Sequence, residues 1–257
     1  MTTLPELLAN AQRTDSGFTA NIPANWLQGR TAYGGLSSAL ALHAAQESDT
    51  DLPPLRSAQV AFVGPLAGDV TVTATRLRRG RNAAFVQSDI TSAAGLGYRA
   101  TFVFMAGQVS EIDHDRRQPA SQIPPGPDVA LYTGPPEFFT GNFNFFDHKD
   151  GRKPADLLRW VRLIDRAGLD RMVEVMAVAD ALPPAAFPLL GKNFKPLSSL
   201  TWILNLLTAT PATDDGWWLL AAETDYAQHG CSSQTMRLWN ARGDLVAEGM
   251  QSVAIFG

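Results

Sequence analysis

The order of elements in this chain repeats. Once near the start and again past the middle, an aromatic-rich segment leads into an apolar helical stretch, and several strand-like runs follow. A buried helix and strands that must pair, delivered twice in the same order, constrain the fold to an α+β architecture in which each helix lies on an antiparallel sheet. In the first half the helical stretch is GGLSSALALHAAQES (34–48), after a lead-in with Phe18 and Trp26. The strand-like runs are SAQVAFVGP (57–65), DVTVTATRLRR (69–79), NAAFVQSDITS (82–92) and YRATFVFMAG (98–107). Turn formers separate them at Pro65 to Gly68, Gly80 to Asn82 and Gly95 to Gly97. In the second half FNFFDHKDG (143–151) and DLLRWVRLI lead into a helix expected near 169–182. Three strand runs follow: SSLTWILNLL, WWLLAAETDYAQHGCSSQTMRLWN and LVAEGMQSVAIFG. Asp214-Asp215-Gly216 and Arg242-Gly243-Asp244 read as hairpin turns between them. The stretch between the halves holds Pro124, Pro125, Pro127, Pro135 and Pro136 and reads as a linker over the surface. The expected division is a first repeat over 1–110, a linker over 111–141 and a second repeat over 142–257.

Bulk properties narrow the function. A chain of 257 residues, 45% hydrophobic and 18% charged, has the length and composition of one large or two small soluble domains. Its net charge of −4 gives no reason to expect nucleic acid or an anionic membrane as partner. A single cysteine excludes an internal disulfide framework and fits a reducing compartment. The segment MTTLPELLANAQRTDSG lacks the basic and apolar regions of a signal peptide. No run approaches the roughly 20 apolar residues of a membrane span. A cytoplasmic protein is expected.

Three polar residues interrupt apolar patterns in the second half. Leu169, Met172, Val173 and Met176 follow helical spacing, and Asp180 continues that stripe four residues on. A carboxylate on a core-facing stripe is costly unless it is paired or used. In LVAEGMQSVAIF the strand period of two puts Gln251 on the face of Ala247, Gly249, Val253 and Ile255. Ser199 opens the expected strand SSLTWILNLL, and Thr201 shares its expected face, so either hydroxyl suits the same role. An acid, a hydroxyl and an amide facing inward are the groups needed to hold a water beside a substrate. Taken singly, each has a structural reading: Asp180 as a cap before Pro183-Pro184, Gln251 as a partner for a strand edge.

Other candidates are weaker. Cys231 with His229 suggests a thiol nucleophile, against which a buried inert cysteine is the better reading. The four histidines and one cysteine show no metal-ligand spacing. GLGYRA (95–100) precedes a strand rather than a helix, so it is a turn and not a dinucleotide fingerprint. Neither a G-x-S-x-G elbow nor a P-loop is present. Arg76, Arg78, Arg79 and Arg81 surround the Gly80 turn, either as a solvated basic hairpin or as a contact for phosphates.

The motifs AYGGLSSALALHAA, SAQVAFVGPLAGD and RLRRGRNAAFVQSDI, then VADALPP, SSLTWI, WWLL and GDLVAEGMQSVAI, occur in this order along both halves. In that order the chain resembles the type II (TesB-like) acyl-CoA thioesterases. The resemblance implies a double hot-dog fold: two fused repeats, each an antiparallel sheet wrapped around a long central helix. It implies hydrolysis of an acyl-CoA thioester by a water held by Asp180, Ser199 and Gln251, with no metal and no cofactor. Serine stands here in place of the family's commoner threonine. It implies oxyanion donors at the helix entry Gly34-Gly35, CoA contacts at Arg78, Arg79 and Arg81, and an acyl tunnel lined by Met172, Met176 and Trp202. The first half has His43-Ala44-Ala45 where the second has its acid, so one site per chain is expected. Self-association is common among hot-dog proteins, and a homodimer of double repeats is compatible with that. Two rivals remain: a hot-dog enoyl-thioester hydratase, which would need a histidine partner for Asp180, and a non-catalytic acyl-CoA or lipid-binding module.

Overall fold

A computed structural model describes residues 1–148, 153–192 and 195–256; the end of the second aromatic segment, 149–151, lies outside them. A short helix, α1 (Leu4–Ala9), precedes strands β1 (Gln12–Thr14) and β2 (Gly17–Ile22) and a two-stranded ribbon, β3 (Leu27–Gln28) with β4 (Thr31–Ala32). Then come α2 (Gly34–Glu47), β5 (Leu55–Phe62), β6 (Gly68–Arg79), β7 (Ala83–Ser92) and β8 (Gly95–Met105). The second half carries β9 (Phe143–Phe146), β10 (Asp156–Leu163), α3 (Arg171–Ala179), β11 (Leu197–Leu206), β12 (Trp218–Gln228), β13 (Cys231–Asn240) and β14 (Leu245–Ile255).

Twelve strands form one antiparallel sheet in the order β1-β2-β6-β7-β8-β5-β11-β14-β13-β12-β10-β9. Read outward from the central pair β5–β11, the first half runs β5-β8-β7-β6-β2 and the second β11-β14-β13-β12-β10. The repeated order seen in the sequence is therefore a repeated topology. In each half the strand after the helix takes the centre, and the half's last long strand pairs beside it.

Both helices lie in the core. Up to Leu42 the residues of α2 are small or apolar on every side, so it buries most of its surface, with Leu36, Leu40 and Leu42 fully enclosed. The second helix is shorter than expected. It starts at Arg171 because the Asp170 carboxylate accepts from the Met172 and Val173 amides as an N-cap. It ends at Ala179, and Asp180 is its C-cap, since Pro183 and Pro184 disfavour helical backbone before them. With 14 and 9 residues, neither helix is long.

Three other expectations are corrected. The run 217–240 is two strands, β12 and β13, folded at His229-Gly230, both with positive φ. Asp214-Asp215-Gly216 is not a hairpin, because β11 and β12 are not neighbours; Arg242-Gly243-Asp244 does join the paired strands β13 and β14. The aromatic segment supplies the edge strand β9, and DLLRWVRLI supplies β10, which lies between β9 and β12. The connection between the halves crosses the outside of the second one. It covers a cluster that includes Trp160, Leu219 and Trp239. It is held there by the Trp239 Nε1 donating to the Gln118 carbonyl (2.9 Å) and the Ala120 amide donating to Gly243 (3.0 Å).

The halves are tied by two buried asparagines, each in a single 3-10 turn. Asn25 Nδ2 donates to Asn142 Oδ1 (3.1 Å), and Asn142 Nδ2 donates to the carbonyls of Asn25 (2.7 Å) and Phe139 (3.1 Å). Replacing Asn142 by alanine takes the donor from the carbonyls of Asn25 and Phe139, while Asn25 Nδ2 keeps its bond to the Thr2 carbonyl (2.9 Å). Asn142→Ala is expected to cost about 2 kcal/mol and to lower Tm by about 4–8 °C; an unchanged melting curve would show that the tie contributes nothing.

Candidate active site

The two helices pack antiparallel: Gly34 and Gly35 at the start of α2 lie against Ala177 and Asp180, and at the other end Gln46 Nε2 donates to Asp170 Oδ1 at 3.0 Å. Tyr33 is the N-cap of α2 and has no side-chain cap bond of its own. Its hydroxyl instead reaches the last turn of α3, donating to the Ala177 carbonyl at 2.8 Å, and its ring stacks on Phe139 at 4.3 Å between centroids. This holds the first turn of α2 against Asp180. The fit is close enough to require glycine: a Cβ on Gly34 would lie 2.5 Å from Asp180 Oδ2 and 2.8 Å from the Phe62 ring. A Cβ on Gly35 would lie 2.5 Å from the Ala177 carbonyl oxygen and from the Tyr33 hydroxyl.

Asp180 keeps some accessible surface as a residue, while its carboxyl is surrounded by protein. Burial raises its pKa to about 7; the Gln251 side-chain amide and the Gly35 backbone N–H, both aimed at the carboxylate, oppose that rise. Gln251 Nε2 donates to Asp180 Oδ1 at 3.0 Å. The Gly35 amide thus faces the acid, where an oxyanion donor was expected. The first backbone bond of α2 is made by the Ser37 amide, so with Gly35 turned to the acid the amides of Gly34 and Leu36 are left without a backbone partner at the helix end.

Ser199 and Thr201 are separated by a β-bulge. Ser199 pairs with Val253 and Thr201 with Ser252, so they point to opposite faces, contrary to the expectation of a shared one. Ser199 is the inward residue, diagonal to Gln251 on the neighbouring strand. Its hydroxyl makes no hydrogen bond among the described residues, to Asp180 and Gln251 included. Met172, Met176 and Trp202 are buried in the shared core, and Trp202 lies directly opposite Gln251. The arginines are elsewhere. Arg76 pairs with Asp49 at 3.2 Å and Arg79 donates to the Asp51 carbonyl at 2.9 Å, just past the C-terminus of α2. Arg78 and Arg81 are exposed on the same hairpin. Asp180 is at the other end of that helix, and 14 residues span roughly 21 Å. Cys231 begins β13 half-buried, while His229 is in the turn, so they share no strand face.

Two contributors lie outside the candidates that the sequence offers. Gln234 on β13 donates from Nε2 to Gln251 Oε1 at 2.8 Å. Tyr98 donates to Ser38 Oγ (3.0 Å), which donates to the Gly34 carbonyl (2.9 Å). Period-two reading puts Gln234 on the inner face beside Ser232 and Met236 once the turn at His229-Gly230 is placed.

The sequence matches the model of the acyl-CoA thioesterase N-terminal domain over residues 22–105 and that of the C-terminal domain over 111–255. The chain belongs to the TesB-like acyl-CoA thioesterase family. Among solved structures, a conserved protein of unknown function with a hot dog fold from Alicyclobacillus acidocaldarius superposes with a TM-score of 0.83 at 21% identity, covering 100% of this chain and 99% of that one. The tesB protein of Mycobacterium avium subs paratuberculosis gives 0.77 at 17% identity, over 99% and 100%. The acyl-CoA thioesterase II TesB2 of Mycobacterium marinum gives 0.72 at 15%, over 99% of each. These likenesses show the hot-dog fold. No curated protein matches the chain in sequence. Among the described residues no helix is long and apolar enough to cross a membrane.

Two outcomes follow for this thioesterase-family site. Gly34→Ala has no room without displacing the carboxyl or Phe62 and is expected to cost about 1–3 kcal/mol by denaturant unfolding; an unchanged midpoint would mean the helix ends are not in contact. Asp180 binds a proton in the folded state between about pH 4 and 7 that it releases when unfolded. Stability from this group is therefore lost as pH rises across that window. Asp180→Asn is expected to melt higher than the wild type at about pH 8, with the gap closing by about pH 5; a lower Tm on the alkaline side would refute the buried-charge account.

Proposed function

We propose that this protein is an acyl-CoA thioester hydrolase built of two hot-dog repeats, residues 1–110 and 142–257, with the reacting groups in the second. The observation that carries the reading is a desolvated carboxyl, Asp180, wedged between the glycine end of one helix and the amide of Gln251. A base whose pKa is near 7 is half-ionised at neutral pH and is stronger than an ordinary aspartate.

Asp180 accepts a proton from a water as the water oxygen attacks the thioester carbonyl carbon. The new C–O bond turns the carbonyl oxygen into an oxyanion. Backbone amides at the open start of α2 are suited to meet it, because helix N-terminal N–H groups favour negative charge. Collapse breaks the C–S bond, and the proton on Asp180 passes to the departing CoA sulfur. The products are CoA and a carboxylic acid. Gln251 has its carbonyl oxygen occupied by Gln234 and one amide hydrogen on Asp180. Its second hydrogen is left to donate to the water oxygen. Ser199 points inward with a free hydroxyl and supplies the third contact, in preference to the outward-facing Thr201. The acyl chain lies along Met172, Met176 and Trp202. Arg78, Arg79 and Arg81 contact the CoA phosphates, at the far end of α2.

The test is free-thiol release from acyl-CoAs of short to long chain. Asp180→Asn, still folded, is expected to lose about 100- to 10,000-fold in kcat, and wild-type kcat/KM to fall as pH drops through about 7. Undiminished turnover in Asp180→Asn would remove this residue from the mechanism. Saturable binding without turnover on any chain length would leave an acyl-CoA-binding protein.

A further inference from the structure

Three buried amides form a one-way chain that ends on Asp180. The Ala185 backbone N–H donates to Gln234 Oε1 at 2.7 Å, Gln234 Nε2 donates to Gln251 Oε1 at 2.8 Å, and Gln251 Nε2 donates to Asp180 Oδ1 at 3.0 Å. Gln234 and Gln251 are almost fully buried, at 2% and 3% exposure, so none of these groups can exchange its partner for bulk water. The direction of the chain is forced. A backbone N–H is only a donor, so it must meet the oxygen end of Gln234. That leaves the nitrogen end of Gln234 for Gln251, which must then present its own oxygen to Gln234 and its nitrogen to Asp180. Pro183 and Pro184 have no N–H, so the Ala185 amide is the first backbone donor past Leu182 in the segment that leaves α3.

We propose that Gln234 is a positioning residue, which sets the end of the Gln251 amide that faces Asp180 and so ties the proton affinity of the acid to the strand β13. The proposal rests on the reading of Asp180 and Gln251 as the water-holding pair. With nitrogen toward the carboxylate, Gln251 favours its ionised, proton-accepting form. Turned over, Gln251 would set its carbonyl oxygen against that carboxylate, and only a protonated Asp180 could meet it. Without Gln234 both orientations are open. The titratable groups that face Asp180 among the described residues are Tyr33 on α2 and Tyr98 on β8. Both are held above their ordinary pKa, chiefly by burial, and neither changes charge near neutral pH.

The experiment is a carbon-13 NMR titration of the Asp180 carboxyl, identified by its absence in Asp180→Asn, in the wild type, Gln234→Met and Gln234→Glu. Methionine keeps the length and removes both polar ends. Glutamate still accepts from Ala185 but offers Gln251 no donor, which favours the turned-over amide. The Asp180 midpoint is expected to move upward in Gln234→Met and further in Gln234→Glu. The low-pH limb of kcat/KM should move with it, and kcat at neutral pH should fall about tenfold, with KM little changed. If either folded variant keeps the wild-type midpoint while its Tm falls, Gln234 is structural only and the proposal is overturned; if Gln234→Met does not fold, Gln234→Glu decides. A wild type that releases no thiol would defeat the hydrolase reading and leave the titration result standing by itself.

Discussion

The contact on which this structure depends is the antiparallel packing of two helices. The start of α2 lies beside the end of α3, an arrangement in which the partial positive charge of one is next to the partial negative charge of the other. Glycine at 34 and 35 is what lets the backbones come together, since a methyl group at either position would overlap the other helix or the residues beside it. Tyr33 fastens the junction by giving its hydroxyl to α3 while its ring packs on Phe139 from the second half. The Asn25–Asn142 pair holds the same two halves at a second point, where each chain segment makes a single 3-10 turn. Both ties are polar and buried, so they specify one relative placement of the halves in a way that the surrounding apolar packing does not.

At that junction the competing effects on Asp180 can be ordered. Burial is the largest and opposes charge; the Gln251 amide and the Gly35 N–H favour charge and offset it only in part. The result is a carboxyl balanced between its two forms near neutral pH. A site of this kind is expensive to the fold, because a buried carboxyl loses solvation that neutral amides replace only in part. The chain keeps another buried acid, Glu174, under different terms. It accepts from Trp218 Nε1 at 3.1 Å and from Arg171 at 2.9 Å, so its carboxyl has both a guanidinium and an indole N–H as partners. The carboxyl within α3 and the one at its C-cap are thus distinguished by their partners: Glu174 is paired with Arg171, and Asp180 accepts from neutral amides.

Much of this is legible in the sequence, and what is not has physical causes. The repeated helix-then-strands order carries the fold class, and alternation in 245–255 places Gln251 inward, as observed. Local pattern fails where long-range geometry decides. The bulge in β11 reverses the faces of Ser199 and Thr201, and a period of two cannot reveal an inserted residue. The turn at His229-Gly230 puts a histidine at positive φ, outside the usual turn residues, so β12 and β13 read as one run and Gln234 goes unassigned. Asp180 reads as an inward acid, but on a helix that in fact stops one residue earlier. Arg79 donates to the Asp51 carbonyl past the C-terminus of α2, and the helix length that separates this hairpin from Asp180 follows only from the direction in which α2 runs.

The duplicated topology provides a second helix junction, and its chemistry differs for identifiable reasons. Asp180 stands ten residues after the N-cap Asp170; ten residues after the N-cap Tyr33 stands His43. The charges that act on His43 are those of Glu47, Arg13 and Asp170, which places it at the start of α3 as Asp180 is at the start of α2. There the likeness ends. The amides of Met172 and Val173 are already taken by the Asp170 carboxylate, whereas Tyr33 leaves the first turn of α2 without a side-chain cap. The helix start at α3 carries Arg171 and Met172 in place of two glycines, so no side-chain-free surface is offered. The inner face of β8 presents Ala100, Phe102 and Phe104, which lack the amide that Gln251 supplies on β14. At α3 the N-cap already occupies two first-turn amides, and among the described residues the His43 imidazole, whose proton affinity is lowered chiefly by burial, has no amide chain to orient it. One junction is closed by its own N-cap and the other is met by an acid from the neighbouring helix, so the duplicated topology carries two chemically different ends.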